Sequence, residues 1–305
     1  MNNKLKGGII VFLGACSFGL LSTIVKTAYA EGYSVGQITG SQAFFGMSVL
    51  WALYMVQRIF SGGSKNKPQG DGGEIKPKTA WWKVSAAGIF TGLVSVFYYI
   101  CVSLLPASIA IILLMQYLWI SIIIELVVFR KKPNKIQLIA AGVVLTGTVF
   151  AGGIFSETIT MNVEGIVFGL LAAASYAIFL ITSGRIGTDL PVLKKSALMI
   201  TGSCAVIFII FPPVFFIDGT FIEGLYKWGI ILALLGTVVP PMFFSYGIPK
   251  TGVSMGAILS AAELPTAVIV SHFVLHETVE PLQWLGVILI LSSIAMTNIK
   301  FTGKE

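Results

Sequence analysis

Ten stretches of this chain contain no Asp, Glu, Lys, Arg or His: 7–25, 32–57, 84–124, 136–156, 165–184, 196–217, 228–249, 251–262, 264–271 and 281–299. No other feature constrains the fold as strongly. A helix rises about 1.5 Å per residue, so about 20 apolar residues cross the hydrocarbon core of a bilayer. The run 84–124 is long enough for two crossings, and Pro106 supplies the break between them. The runs 251–262 and 264–271 read as one crossing that carries a single charge, Glu263. The expected helices are 7–29, 36–60, 82–104, 107–129, 136–153, 164–185, 193–217, 226–247, 252–275 and 281–299. Charged residues make up 11% of the chain, against about 25% in a soluble domain. So little charge cannot cover a solvated surface, and the fold class is an all-α polytopic membrane protein with ten transmembrane helices.

The basic residues set the orientation. With the N-terminus in the cytoplasm, 18 of the 20 Lys and Arg residues fall in cytoplasmic segments, and only Lys26 and Lys227 lie toward the outside. Basic residues resist translocation, so both termini are expected in the cytoplasm of a cell-membrane protein. The net charge of +7 therefore reads as membrane orientation, and nucleic acid is not an expected partner. Lys4 and Lys6 followed by Leu13-Gly14-Ala15-Cys16 resemble a processed leader, but the apolar run continues to Val25, too long for an h-region. The segment is therefore expected to be the first helix, 7–29, rather than a cleaved leader. Cys16, Cys101 and Cys204 all fall in apolar runs, with neither a disulfide framework nor metal-binding spacing. The Gly-, Lys- and Pro-rich segment 61–80 reads as a flexible cytoplasmic loop.

The two halves resemble each other. Gly8–Lys26 aligns with Gly165–Arg185 at an offset near 158, which sets Ser17-Phe18 on Ser175-Tyr176. At an offset of 144, Leu113–Gly142 lies beside Ala257–Gly286. Each half, 1–153 and 154–305, holds five helices. An odd number forces the second half to insert upside down relative to the first. Inverted five-helix repeats characterise secondary transporters, with substrate near the bilayer midplane where the repeats meet.

With these residues in view, the chain resembles the drug/metabolite transporter superfamily, EamA type. Ser17-Phe18-Gly19 with Lys26, Ala174-Ser175-Tyr176-Ala177, Glu263-Leu264-Pro265, Leu275-His276-Glu277 and Gln283-Trp284-Leu285-Gly286 carry the resemblance, which spans nearly the whole chain. It implies ten helices in inverted repeats and carriage of small metabolites such as amino acids, sugars or nucleotide conjugates. One departure stands out: where the family has a Glu at the end of the fourth helix, this chain has Lys131 or Lys132, while the matching Glu277 is kept.

Several residues are candidates for contact with a small-molecule substrate. Glu263 sits mid-span, where a charge costs at least about 2.5 kcal/mol and so needs a reason. Ser260 and Thr266, three residues to either side, extend a polar stripe on the same helical face. A mid-span carboxyl can contact substrate or carry a coupled proton. Its structural alternative is a neutral side chain bonded to a neighbouring helix. Pro265 weakens the helix locally. Lys26 suits a carboxylate or phosphate, or else snorkels to the headgroups along its apolar stem. Gln116, Tyr117 and Trp119 cluster on the fourth helix. At the 144 offset Gln116 matches Ser260 and Trp119 matches Glu263, and this points to a cavity wall on which Trp119 stacks against substrate. Tyr98, Tyr99 and Tyr176 are further aromatic candidates. Arg185, the repeat mate of Lys26, reads as a topology anchor, and Glu125 as a partner of Arg130 one turn away.

No cofactor is expected, because the chain has no Gly loop shaped for phosphate and no Ser-His-Asp arrangement with supporting context. The expected function is a secondary carrier of a small metabolite, with an amino acid as the leading guess and export as the family-level direction. A nucleotide-sugar or lipid-linked-substrate carrier of the same architecture is the alternative. From another class, a membrane-embedded lipid-modifying enzyme would draw on His272, His276, Glu277 and Glu280.

Overall fold

The computed structural model describes residues 3–60, 79–105, 107–152, 162–274 and 278–302. Among them the chain forms ten helical rods: α1 Asn3–Ala30, α2 Val35–Phe60, α3 Trp81–Leu104, α4 Ala107–Met115 with Tyr117–Phe129, α5 Lys135–Ala151, α6 Val163–Arg185, α7 Val192–Ile210, α8 Phe221–Thr251, α9 Val253–Ser260 with Glu263–Val274, and α10 Pro281–Thr302. Eight are long and apolar enough to cross a membrane, and α5 and the stretch Pro281–Met296 of α10 are shorter apolar helices. The bundle inverts the usual polarity of a soluble protein. Ile123, Val127, Ile139, Ile209 and Ile288 lie on its outer surface, while Gln42, Ser121, Glu125, Ser260 and Glu263 are buried. Such a surface is stable only against lipid, where helices satisfy their own backbone groups.

The packing shows the repeat. Helix α3 lies against α6 as α8 lies against α1, α3 against α7 as α8 against α2, and α4 against α6 as α9 against α1. The pairs α2–α7 and α5–α10 each close on themselves. Exchanging α1–α5 for α6–α10 thus maps each of these contacts onto another one. Because successive crossings alternate in direction, the five-helix halves are inverted relative to each other. Small residues let the backbones approach: a Cβ on Gly88 would strike Met199 O of α7, and a Cβ on Gly202 would strike Ser85 O of α3.

Prolines reset two boundaries. The expected seventh helix, 193–217, ends at Ile210, because Pro212 and Pro213 have no N–H to continue the ladder. Val214–Phe216 instead make one 3-10 turn, and the next helix begins at Phe221 rather than 226. Pro240-Pro241 widen α8 rather than end it. Ala233–Val238 is a π-helical turn in which the Val239 N–H reaches back to Leu234 O. On that five-residue step the Leu235 carbonyl would need the N–H that Pro240 lacks. The Ser17 hydroxyl of α1 supplies the missing donor, at 2.6 Å. Pro106 and most of the 61–80 loop, 61–78, lie outside the described residues.

Candidate functional site

Three rods are broken near mid-length: α1 at Leu20, α4 at Gln116, and α9 at Ala261-Ala262. The breaks in α4 and α9 are repeat mates with a shared local cause. Gln116 N–H bonds to Leu113 O, three residues back, and Ala261 and Ala262 likewise bond to Ile258 O and Leu259 O. This tightening to 3-10 geometry leaves carbonyls four residues back without their helical donor. Side chains fill the gap. Gln116 Nε2 donates to the released Ile112 O at 3.0 Å; Ser260 Oγ likewise donates to Gly256 O at 2.8 Å, a carbonyl in the regular turn just before the α9 break. The two bonds are equivalent at the 144-residue offset. Ala257 O, released because Ala261 N–H turns to Ile258 O, accepts from the Tyr117 hydroxyl of α4 at 3.1 Å. That bond crosses from one half to the other. At the same level Gly19 brings α1 against α9: a Cβ there would strike the Glu263 carbonyl and come within 2.7 Å of Thr266 Cβ.

Beside these breaks lies a partly open cavity. Phe18 and Ser22 of α1, Gln42 of α2 and Ser95 of α3 line it from the first half, Tyr176 and Glu263 from the second. Tyr98 and Tyr99 of α3 and apolar residues of α1, α3 and α4 complete the first-half side. A second, smaller hollow adjoins it, sharing Phe18, Gln42, Val94, Ser95 and Tyr176, and reaches Ser203 of α7 and Thr237 of α8. Both halves therefore build one wall. Gln42 is its buried hub: Tyr99 Oη donates to Gln42 Oε1 at 2.9 Å, and Gln42 Nε2 donates to Thr237 Oγ1 at 3.0 Å. The aromatic side is ordered. Phe18 meets Tyr176 edge-on at 6.1 Å, Tyr176 meets Tyr117 at 4.5 Å, and Tyr176 stacks on Phe179 at 5.9 Å. The Tyr176 hydroxyl and Glu263 Oε2 are buried with no hydrogen-bond partner among the described residues.

The candidates from the sequence divide. Glu263, Tyr98 and Tyr176 line the cavity. Ser260 and Tyr117 are fully buried, with their hydroxyls committed to the α9 backbone. Trp119, expected on the cavity wall, is 43% exposed on the outer surface, and its Nε1 donates to Gln116 Oε1 at 2.8 Å. Gln116 is thus occupied by Ile112 O and Trp119, and neither residue lines the cavity. Lys26 is exposed one helical turn beyond Ser22 and is not part of the lining. Of the outer-end histidine group, His276 and Glu277 lie outside the described residues, and His272 packs edge-on against Trp284 at 5.8 Å.

At the end of the bundle where the chain termini lie, Glu125 departs from expectation. It is 2% exposed and pairs with Arg185 of α6 at 3.0 Å, with Lys131 at 3.7 Å, and with the Ser254 hydroxyl of α9. The expected partner one turn along the same helix was Arg130. That residue instead takes a left-handed conformation (φ 52°) at the end of α4. Arg185 also stacks over the Phe129 ring, 3.8 Å from its centroid. The cluster thus ties α4, α6 and α9 together. Nearby, Lys195 is 1% exposed and its ammonium donates to Ser183 O at 2.6 Å, serving a carbonyl in the last turn of α6 that lacks a helical donor. A scan for Asp, Glu, Lys, Arg and His passes over Gln42, Phe18 and Ser95. The available signal was Gln42 itself, an amide in the middle of an apolar run.

A ten-helix bundle with inverted halves and a central cavity walled by both defines a membrane transporter fold. The chain matches the EamA-like transporter family over residues 5–153 and 163–299, and it belongs to that family. An uncharacterized transporter of Synechocystis sp. is 24% identical over all of this chain and 98% of its own length. The uncharacterized transporter YcbK of Bacillus subtilis is 25% identical over 98% of this chain and 95% of its own. A crystal structure of a protein 14% identical in sequence superposes with a TM-score of 0.70, over 95% of this chain and 96% of that one, and so shares the fold.

Proposed function

We propose that this membrane transporter is a secondary carrier that moves a small amphipathic metabolite through the central cavity by alternating access. The units 1–153 and 154–305 rock against each other in this reading, with both termini cytoplasmic, in the cell membrane, and export as the direction of flow. One observation carries it. Both halves wall a mid-bundle cavity, and two of its lining side chains, Tyr176 and the mid-span Glu263, carry buried polar atoms without partners among the described residues. Such atoms are costly to leave unpaired and inexpensive to pair with a ligand.

The Glu125–Arg185–Ser254 cluster closes the end of the bundle beneath the cavity by tying α4 and α9 to α6. Its opening is the step that would expose the cavity to the cytoplasm, and Glu263 is the side chain placed to carry a coupled proton. The cavity lining contains no Lys or Arg among the described residues, which speaks for a small metabolite over a nucleotide-sugar or lipid-linked substrate with several anionic groups.

The test is side-specific labelling. With Cys16, Cys101 and Cys204 replaced, Ser95→Cys in sealed proteoliposomes should react with an impermeant thiol reagent added from either side. Reaction from one side alone, under every solute and gradient tried, would overturn alternating access.

A further inference from the structure

The charge of a ligand can be read from the charges its cavity presents, because an uncompensated charge between apolar walls is costly for either partner. Among its described lining residues this cavity has one carboxyl group, Glu263, and no Lys, Arg or His. Glu263 is 7% exposed, its Oε2 has no hydrogen-bond partner among the described residues, and no charged group among them acts on its carboxyl. The titratable groups that bear on it are the phenols of Tyr98, Tyr99, Tyr117 and Tyr176. Two of these are engaged, Tyr99 with Gln42 and Tyr117 with the Ala257 carbonyl. The Tyr176 hydroxyl makes no close hydrogen bond among the described residues, and its polar neighbour is the Ser260 hydroxyl, itself given to Gly256 O. The cavity therefore offers a carboxyl group that a bound cation would hold ionised, a phenol oxygen and aromatic faces, the combination that favours a cation.

We infer that the cavity takes a monocation: a protonated amine on a small apolar or aromatic body, donating its N–H groups to Glu263 and Tyr176. The inference rests on the carrier reading above and narrows its substrate class. A zwitterionic amino acid would bring a carboxylate for which the described lining offers no cation, since Lys26 stands one turn outside it.

Three probes share one aromatic body and differ in charge: 2-phenylethylamine, phenylalanine and 2-phenylethanol. Binding to the full chain in lipid nanodiscs is read by calorimetry and by the rise in unfolding temperature. The amine should bind about tenfold or more tighter than the other two. Glu263→Gln should weaken the amine by at least about tenfold and leave 2-phenylethanol little changed. Tyr176→Phe should weaken the amine by a smaller factor and preserve the order of the probes. If Glu263→Gln fails to fold, Glu263→Asp, which keeps the charge, must keep the preference for the amine. Equal or tighter binding of phenylalanine, undiminished amine binding by Glu263→Gln, or no amine binding at millimolar concentration would each overturn the inference. The carrier reading stands or falls separately, on the two-sided labelling of Ser95→Cys.

Discussion

Helices α4 and α9 occupy matching places in the two halves and break at matching points, yet they do different work. In α4 the break is a single 3-10 step at Gln116. Three residues on, Trp119 faces outward, 43% exposed. In α9, Ala261, Ala262 and Leu264 all make the shorter bond, and Glu263 turns inward to 7% exposure. Each 3-10 residue advances the chain about 120° instead of 100°. Two extra steps therefore rotate the remainder of the helix by about 40°, enough to move a side chain from one neighbour's surface to another's. The lesson is that an internal repeat copies backbone behaviour faithfully and side-chain environment poorly. Both halves have a side-chain donor at the break that reaches the carbonyl four residues back, Gln116 in one and Ser260 in the other, and only one keeps a carboxyl in the cavity.

Substitutions can break that comparison or sharpen it. The largest effect is expected at the tie between the two helices. Glu125→Ala strands Arg185 and releases Ser254, and it should cost about 2–3 kcal/mol, less than a fully buried pair because Arg185 is partly in solvent. Thermal unfolding in nanodiscs checks this, and a shift no larger than that of Lys131→Ala would show that the cluster does not join α4 to α9. Next comes Gly19→Ala, which forces a Cβ against the α9 break and should cost about 1–3 kcal/mol as overpacking. An unchanged unfolding temperature would mean that α1 and α9 do not approach this closely. Tyr117→Phe removes one bond between the halves and should cost about 1 kcal/mol, read by hydrogen exchange along α9. Loss of protection at Ala261 and nearby residues is the expected signature. The smallest effect is at Trp119. Trp119→Ala should leave flux in proteoliposomes nearly unchanged, while Glu263→Gln abolishes it. Equal losses would return Trp119 to the transport path and erase the asymmetry between the helices.

Whether a feature can be read from the chain depends on how it is encoded. Crossing segments are written locally, as runs without charge, and their number and approximate bounds were legible. The end of α7 at Ile210 and the start of α8 at Phe221 were misplaced although their cause is local, the missing N–H groups of Pro212 and Pro213. The repeat was legible because matching residues recur in order. The partner of Glu125 was not: Arg185 lies 60 residues away and reaches it only when α6 packs against α4. The same holds for Gln42, whose two partners belong to α3 and α8. Glu263 was singled out by its cost in lipid, a property of one residue in one run. The direction Trp119 faces depends on how many 3-10 steps precede it.

The sequence by itself determined that the chain is a membrane bundle of ten helices in two mirrored sets, because hydrophobic length, charge and proline act within a turn or a span. Only the tertiary structure decided which polar groups face the shared cavity and which are spent on broken helices, on lipid or on one another. Those choices depend on helix rotation and on contacts between residues far apart in the chain, and no local pattern encodes either.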